Sequence, residues 1–209
     1  MDPSFIALAT HFKLKLEQAL ESDITLRQVD EYIQITSPGL VSGILLYPHN
    51  NPSRAAIFEH YIHIDEDQLV EKLDLIIKRI VSKTKNDNRV YARNTVVARI
   101  DKKTSIRFLV EHHLQTALPG KYRYGLYEKG ELVALAIFSG GRRMNDKDED
   151  YRSFELVRFC NKSGINVIGG LSKLIKAFCN DFSPGDIMTF TSRDLSQTSS
   201  FAKIGFVSQ

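Results

Sequence analysis

The glycine-bearing loop at residues 161–170 is the part of this sequence best suited to holding a charged ligand, because it joins a predicted strand to a predicted helix. The first turn of a helix presents unpaired backbone N–H groups, and the helix dipole adds a partial positive charge there. Gly169 and Gly170 let a phosphate approach the backbone, and Lys173 can add charge. The predicted diphosphate-binding residues are Asn166, Val167, Ile168, Gly169, Gly170 and Lys173. Adjacent glycines before a helix also occur in tight connections, so that alternative stays open.

Three residues are candidates for proton transfer, namely His112, His113 and Glu155. An unperturbed imidazole titrates near pH ~6.5, so either histidine can act as a general base at neutral pH. Neighbouring positions of a helix point in different directions, and we therefore expect at most one of the two histidines in a cleft. Glu155 lies on an otherwise apolar strand, where a carboxylate needs a partner such as Arg158, Arg193 or a bound amine. A structural ion pair or a solvated side chain is the alternative to a catalytic role.

Hydrophobic periodicity predicts the elements that hold these residues in the C-terminal half. The predicted strands are residues 90–100, 122–128, 131–138, 153–160 and 186–192, and the predicted helices are residues 104–115 and 171–182. Residues 140–150 are polar and predict an exposed loop.

The N-terminal part has its own set of predicted elements. They are a helix at 5–21, a hairpin at 32–36 and 41–47, a strand at 55–64 and a helix at 68–82. The polar stretch 83–89 predicts a linker, which divides the chain into domains at 1–82 and 90–209. The predicted fold class is mixed α+β, with a mixed sheet flanked by helices behind a small N-terminal α+β domain.

The composition is that of a soluble globular protein, with 43% hydrophobic and 25% charged residues. No apolar run approaches the ~18 residues of a membrane span, and residues 1–5 lack a basic leader, so a cytoplasmic protein without membrane contact is expected. Cys160 and Cys179 lie in apolar contexts and are predicted to be buried thiols. His60 and His63 have no third ligand in the pattern, so no metal site is predicted.

Positive charge is concentrated in the basic belt, which we define as residues 72–107. It holds eleven Lys or Arg against three acids, a net charge of +8, and leaves −5 for the rest of the +3 chain. Such a belt suits a polyanion, either nucleic acid or a phosphorylated cofactor. The predicted nucleic-acid contacts are Lys83, Lys85, Arg89 and Arg93. The alternative is a solvated helix face followed by a linker, because only Tyr91 and Phe108 are available for base stacking.

The order of the predicted elements in residues 90–209, with the glycine loop after the fourth strand, resembles the GNAT acyltransferase superfamily. The resemblance implies that acyl-CoA binds where two central strands splay apart, with its diphosphate on the glycine loop. It also implies direct transfer of the acyl group, often to an amine. This loop reads Asn166-Val167-Ile168-Gly169-Gly170 and departs from the usual basic residue followed by two spaced glycines.

A second resemblance covers residues 73–206 and is carried by blocks at 74–80, 90–93, 108–115, 124–127, 154–161 and 167–174. These blocks are similar to the C-terminal region of phage homing-endonuclease-like proteins, which resembles the GNAT-related Mom family of DNA-modifying enzymes. The resemblance implies one cleft lined by His112 or His113, by Glu155, and by substrate-binding residues Arg158, Ser192, Arg193 and Ser196. Relatives usually carry a carboxylate and a phenol where this chain has Ser192 and Phe201, and each loss removes an acid–base group.

Residues 29–33, followed by a second strand, faintly resemble the core of a Vsr-like nuclease domain. Metal-dependent phosphodiester cleavage needs several carboxylates. Asp30 is one, but the second strand reads Ser42-Gly43-Ile44-Leu45 where another acid is needed. The N-terminal domain is therefore predicted to be a degenerate or unrelated packing domain.

Three functional hypotheses follow. The first is a GNAT-like acyltransferase that uses acetyl-CoA or another acyl-CoA and an amine acceptor. The second is a nucleic-acid-binding or DNA-base-modifying protein, and the third is a catalytically inactive binding module of the same fold.

Overall fold

A computed structural model describes residues 1–49, 61–85, 88–190 and 201–207 and divides the chain into two units. Unit 1 comprises residues 1–86 and 191–203, and unit 2 comprises residues 87–190 and 204–209. Both contain helices and sheets, so the predicted mixed α+β class is confirmed. No helix within the described residues is long and apolar enough to cross a membrane.

Unit 1 contains two long helices and a four-stranded sheet. The elements are α1 (Pro3–Leu20), β1 (Thr25–Val29), β2 (Tyr32–Thr36), β3 (Gly43–Tyr47), β4 (Tyr61–Asp65) and α2 (Glu66–Lys85). The strands follow the order β1-β2-β3-β4, in which β1, β2 and β3 form an antiparallel meander and β4 is parallel to β3.

The core of unit 1 forms because one face of its sheet is apolar. Ile33, Ile44 and Ile62 are buried and lie on neighbouring strands, while α1 buries Phe5 and Phe12 at helical spacing. The predicted helices and hairpin are confirmed. Strand β1 was not predicted, because its exposed residues lack the apolar alternation that marks a strand.

Unit 2 contains the glycine loop and most of the predicted site. Its elements are β5 (Arg89–Tyr91), a 3-10 turn η1 (Ala92–Asn94), β6 (Val96–Arg99), α3 (Lys102–His112), β7 (Tyr122–Glu128), β8 (Glu131–Phe138), β9 (Arg142–Arg143), β10 (Arg152–Asn161), β11 (Asn166–Ile168), α4 (Gly170–Phe182), β12 (Asp186–Met188) and a 3-10 turn η2 (Ala202–Ile204) that begins in unit 1.

The main sheet of unit 2 follows the order β12-β10-β8-β7-β6, with β9 paired to β10. Strands β6, β7, β8 and β10 are antiparallel neighbours, and β12 is parallel to β10. Strands β5 and β11 form a separate parallel pair. The register between β10 and β8 shifts between Leu156 and Arg158, so Val157 is an extra residue in the ladder, as in a β-bulge.

Helices α3 and α4 pack on opposite faces of this sheet. Phe178 of α4 stacks on Phe138 with ring centroids 3.9 Å apart. Leu109 of α3 belongs to a buried cluster with Leu135 and Ile137, which alternate with the residues on the other face. Alternate residues of 131–138 therefore face opposite sides of the sheet and form two apolar layers, one under each helix.

Two predicted elements of unit 2 differ from the structure. The predicted strand 90–100 is broken into β5, η1 and β6, because η1 turns the chain at Ala92–Asn94. Part of the predicted loop 161–170 is the strand β11, because a separate segment, β5, supplies its hydrogen-bond partner. Residues 83–85, predicted within a linker, form the last turn of α2.

Candidate functional site

The candidate site lies along the part of β10 that β12 does not cover. Strand β12 pairs with β10 only from Ser153 to Glu155, and Thr189 adds one hydrogen bond to the carbonyl oxygen of Leu156 at 2.9 Å. Residues 157–161 pair with β8 on one side, and no described residue forms a strand on the other. Backbone groups of an unpaired strand edge can bind an extended ligand.

In unit 1, the parallel strands β3 and β4 are paired along their full length. Strand β3 is paired with β4 along all five of its residues, from Gly43 to Tyr47. Both units place a parallel strand beside the last strand of an antiparallel meander, yet only in unit 2 does the pairing stop part-way among the described residues. The open edge is therefore a feature of unit 2 and not a consequence of the shared topology.

Arg158 stabilises the bulge at the start of this edge. Its guanidinium donates to the carbonyl oxygen of Val157 at 2.7 Å and to that of Thr116 at 3.3 Å. Burial lowers the pKa of Arg158, and the nearby charge of Glu155 partly offsets this effect. The predicted substrate-binding residue thus holds the backbone around the site.

Glu155 is the last residue of β10 that pairs with β12. Its backbone N–H donates to Ser139 Oγ at 2.9 Å, and its carbonyl oxygen accepts from the N–H of Ser139 at 2.9 Å. Among the described residues, no hydrogen bond or ion pair engages its carboxylate. Its half-buried side chain lies near the charge of Arg158, and no described residue forms a hydrogen bond with its carboxylate oxygens.

The glycine turn follows β11 and opens α4. Gly169 caps the helix with φ +77°, a left-handed conformation that favours glycine. At Gly170 a Cβ would lie 2.9 Å from Val167 Cγ1, so glycine permits the close packing of this turn. The first hydrogen bond of the helix joins Lys173 N–H to the Gly169 carbonyl oxygen at 3.1 Å. The N–H groups before it have no acceptor within the helix, and an anion site at this turn stays a prediction.

Lys173 was predicted to contact a phosphate, but in the structure it hydrogen-bonds to backbone and side-chain oxygens of unit 2. Its ammonium nitrogen donates to the carbonyl oxygen of Ala92 at 2.7 Å, to that of Thr95, and more weakly to Thr95 Oγ1 at 3.4 Å. These oxygens lie in and just after η1. Lys173 therefore ties α4 to the segment before β6, and its phosphate contact stays a prediction.

The two histidines are separated in the way the helix spacing predicts. His112 is buried, with Nδ1 3.1 Å from Ser163 Oγ and its ring edge-on to Phe108. His113 caps the end of α3 and accepts a hydrogen bond from the N–H of Gln115 at 3.0 Å. Both rings therefore have local structural partners.

Asn161, the last residue of β10, carries a buried polar atom that lacks a partner. Its side-chain oxygen Oδ1 is enclosed and makes no hydrogen bond with any described residue. A buried acceptor without a donor costs about 1–3 kcal/mol, so such atoms call for an explanation.

A cluster that the sequence did not reveal joins β6, β7 and α4. Asp181 accepts from Tyr124 Oη at 2.6 Å and from the guanidinium of Arg99 at 2.8 Å, and Arg99 lies 4.2 Å above the Tyr124 ring. Burial raises the pKa of Tyr124, and the hydrogen bond to Asp181 adds to the effect. The three residues are too distant in sequence for any local pattern to relate them.

Other predicted contacts lie elsewhere or outside the described residues. Ser192, Arg193 and Ser196 are outside the described residues. Lys83 and Lys85 lie in the last turn of α2, with Lys85 3.4 Å from Glu21. Arg89 lies on β5 and Arg93 in η1. Among the described residues, no three His, Cys, Asp or Glu side chains form a group able to hold a metal ion.

Comparisons with known proteins give two structural neighbours. One is a GNAT-family acetyltransferase from Streptococcus pneumoniae TIGR4, with 13% identity and a TM-score of 0.41 over 54% of this chain and 87% of that chain. The other is the C-terminal domain (DUF2156) of a protein named as a lysylphosphatidylglycerol synthetase from Agrobacterium fabrum, with 9% identity and a TM-score of 0.28 over 86% of this chain and 74% of that chain. No protein-family model and no curated protein matches the chain.

Proposed function

We propose that unit 2 binds an acyl-CoA and transfers its acyl group to an amine. The observation that carries the proposal is the early end of the β10–β12 pairing. Among the described residues it leaves residues 157–161 as an open strand edge that leads toward the glycine turn. An extended chain bearing amides, such as the pantetheine arm of CoA, can pair with such an edge.

The groups beyond the Asn161 end of this edge suit the diphosphate of CoA. The turn at Gly169 and Gly170 would hold the diphosphate on the first N–H groups of α4.

If CoA lies along the edge with its diphosphate at the glycine turn, Glu155 is better placed than His112 to accept the proton. A strand advances about 3.3 Å per residue, so the six steps from Glu155 to Asn161 span about 20 Å. With the diphosphate at the Asn161 end, the thioester lies toward Glu155. His112 contacts Ser163, beyond the diphosphate end of the strand.

Acyl transfer then requires one proton acceptor and a leaving thiol. The amine nitrogen attacks the thioester carbon, a C–N bond forms and the C–S bond breaks. Glu155 takes the proton that the amine loses, and the CoA thiolate departs and takes up a proton from solvent. The bulge held by Arg158 keeps the strand bent at the place where the reacting carbon would lie.

Thermal shift with free CoA tests the proposal. CoA should raise Tm by mass action. Gly169→Glu should abolish the shift because it places a carboxylate where the phosphates bind, whereas Gly169→Gln, which has the same backbone strain and similar size, should keep most of it. Lys147→Glu in the loop 140–150 is the charge control. If millimolar CoA and acetyl-CoA leave the wild-type Tm unchanged, the proposal is wrong.

A measurement of acyl transfer distinguishes an active enzyme from an inactive binding module. An inactive module would bind CoA and show the thermal shift, but would not release thiol from acetyl-CoA with any member of an amine panel. Wild-type turnover that Glu155→Gln removes would establish the enzyme.

A second candidate function, binding of nucleic acid, is favoured by the start of α3. Lys102 and Lys103 occupy the first turn of this helix, and Arg107 follows one turn later, all exposed. Cations at a helix N-terminus add to the positive end of the dipole and disfavour folding. A polyanion bound across this surface would compensate that cost.

The nucleic-acid candidate is tested by the salt dependence of DNA binding. Affinity for a labelled duplex should fall steeply with salt. Replacing Lys102, Lys103 and Arg107 together by Gln should make the slope shallower, by roughly one unit for each phosphate that the variant no longer neutralises. No binding at low salt would remove this candidate.

A further inference from the structure

The parallel pair β5–β11 presents an exposed apolar surface directly before the glycine turn. Tyr91 is 43% exposed and Ile168 is 42% exposed. The two residues are partners in the β5–β11 register, so their side chains lie side by side on one face of the pair. Exposed aromatic and branched side chains that adjoin form a flat surface on which a planar ring can stack.

Arg93 adds a positive charge to this surface. Its guanidinium carbon lies 5.0 Å from the centre of the Tyr91 ring, and the side chain is exposed. No carboxylate of a described residue pairs with it. Arg99 shows the contrast, since its guanidinium is engaged by Asp181 at 2.8 Å. The planar fork of Arg93 thus keeps its capacity to bind a phosphate with two parallel hydrogen bonds.

The surface is tied to the glycine turn by two independent contacts. Ile168 immediately precedes Gly169 in the chain, and Lys173 donates to the carbonyl oxygen of Ala92, the residue between Tyr91 and Arg93 in the chain. A Cβ on Gly169 would lie 3.6 Å from Ala92 Cβ. The stacking surface and the predicted diphosphate turn therefore keep a constant separation.

We propose that Tyr91, Ile168 and Arg93 bind the nucleotide end of CoA, with the adenine ring on Tyr91 and Ile168 and the 3′-phosphate on Arg93. The inference rests on the proposed function and extends it from the diphosphate to the base and the phosphate monoester. A purine bearing a phosphate needs a flat apolar surface beside a cation, and β5, β11 and η1 supply both next to the turn, with Arg93 over the Tyr91 ring and unpaired with any described carboxylate.

The test compares CoA with dephospho-CoA, which lacks the 3′-phosphate, by isothermal titration calorimetry on the full chain. Wild type should bind CoA more tightly, by about tenfold or more for a charge-assisted contact. Arg93→Gln should remove this preference, whereas Arg107→Gln, a matched change of an exposed arginine on α3, should retain it. Tyr91→Ala should weaken both ligands by a similar factor and leave their ratio intact, and Tyr91→Phe should bind as wild type does.

The outcomes separate this inference from the proposed function. If wild type binds CoA but Arg93→Gln keeps the preference over dephospho-CoA, the inference is wrong and the acyl-CoA site stands. If wild type binds neither ligand, both fall together. If Tyr91→Ala abolishes binding of a single-stranded oligonucleotide and leaves CoA affinity unchanged, the surface serves nucleic acid and the inference is overturned.

Discussion

The ammonium nitrogen of Lys173 donates to the carbonyl oxygen of Ala92 across 2.7 Å, although the two residues are 81 positions apart. This hydrogen bond joins the first turn of α4 to η1 and places Ala92 beside Gly169. Since the same lysine also donates to Thr95, one side chain satisfies two backbone carbonyl oxygens. It makes Lys173 a positioning residue for the glycine turn.

Lys173→Met should therefore lower the stability of the protein without any ligand. The Thr95 carbonyl oxygen loses the ammonium donor, whereas that of Ala92 keeps the N–H and the hydroxyl of Thr95 as donors. A buried unsatisfied group costs about 1–3 kcal/mol. The measurement is urea unfolding of the free protein, with Lys176→Met, an exposed change on the same helix, as the matched control. If Lys173 served only a phosphate, the free protein would keep its stability and only CoA binding would weaken.

Glu155→Gln should lower kcat by a factor of about 10²–10⁴, the usual contribution of a general base, because it keeps the shape of the side chain but removes the carboxylate. The CoA-induced rise in Tm should persist, since the diphosphate turn is unchanged. Thiol release from acetyl-CoA with an amine panel measures the chemical step.

His112→Gln is the companion variant for that experiment. The ring packs against Phe108 and hydrogen-bonds Ser163, so the change should lower Tm while kcat stays close to wild type. A loss of kcat in His112→Gln with full activity in Glu155→Gln would show that the acyl group lies at the other end of β10.

Gly170→Ala should destabilise unit 2 by overpacking. A Cβ at this position would lie 2.9 Å from Val167 Cγ1 and 3.3 Å from Leu126 Cδ1. Forcing a methyl group into a packed region costs about 1–3 kcal/mol. Gly140→Ala is the control, because its Cβ would meet only the flexible side chain of Lys121 at 3.2 Å. Equal unfolding midpoints in urea for the two variants would contradict the prediction.

Asp181→Asn should make the protein less stable at neutral pH and remove part of its sensitivity to acid. Hydrogen bonds from Tyr124 and then Arg99 hold the pKa of Asp181 below its usual value. The carboxylate therefore stabilises the fold above the unfolded-state pKa of about 3.9, and this contribution is lost as pH falls through the lower folded-state value. Tm of wild type and variant should differ at pH 7, and the difference should shrink as the pH falls below about 3.9. A gap that stays constant over this range would exclude the carboxylate as its cause.

Much of unit 2 was predictable from local patterns. Residues 131–138 alternate two apolar faces and form β8, and the run 171–182 with its helical spacing forms α4. The start of α4 at Gly169 and Gly170 was also predictable, because glycine before a helix marks a turn that other residues adopt at a cost.

The partners of individual side chains were not predictable in the same way. Lys173 looked like a phosphate ligand from its place in the first helical turn, and only the fold brings the carbonyl oxygen of Ala92 within reach. Strand β11 looked like loop, because three residues carry too little periodicity until β5 pairs with them.

The sequence by itself determined which segments become helices and strands, since amphipathic periodicity and turn residues act over a few positions of the chain. Only the tertiary structure decided where β12 stops pairing with β10, because hydrogen bonding between strands depends on register and twist across residues 30 or more positions apart. Among the described residues, that decision leaves the edge at residues 157–161 open, with Glu155 just before this edge and the glycine turn beyond its other end.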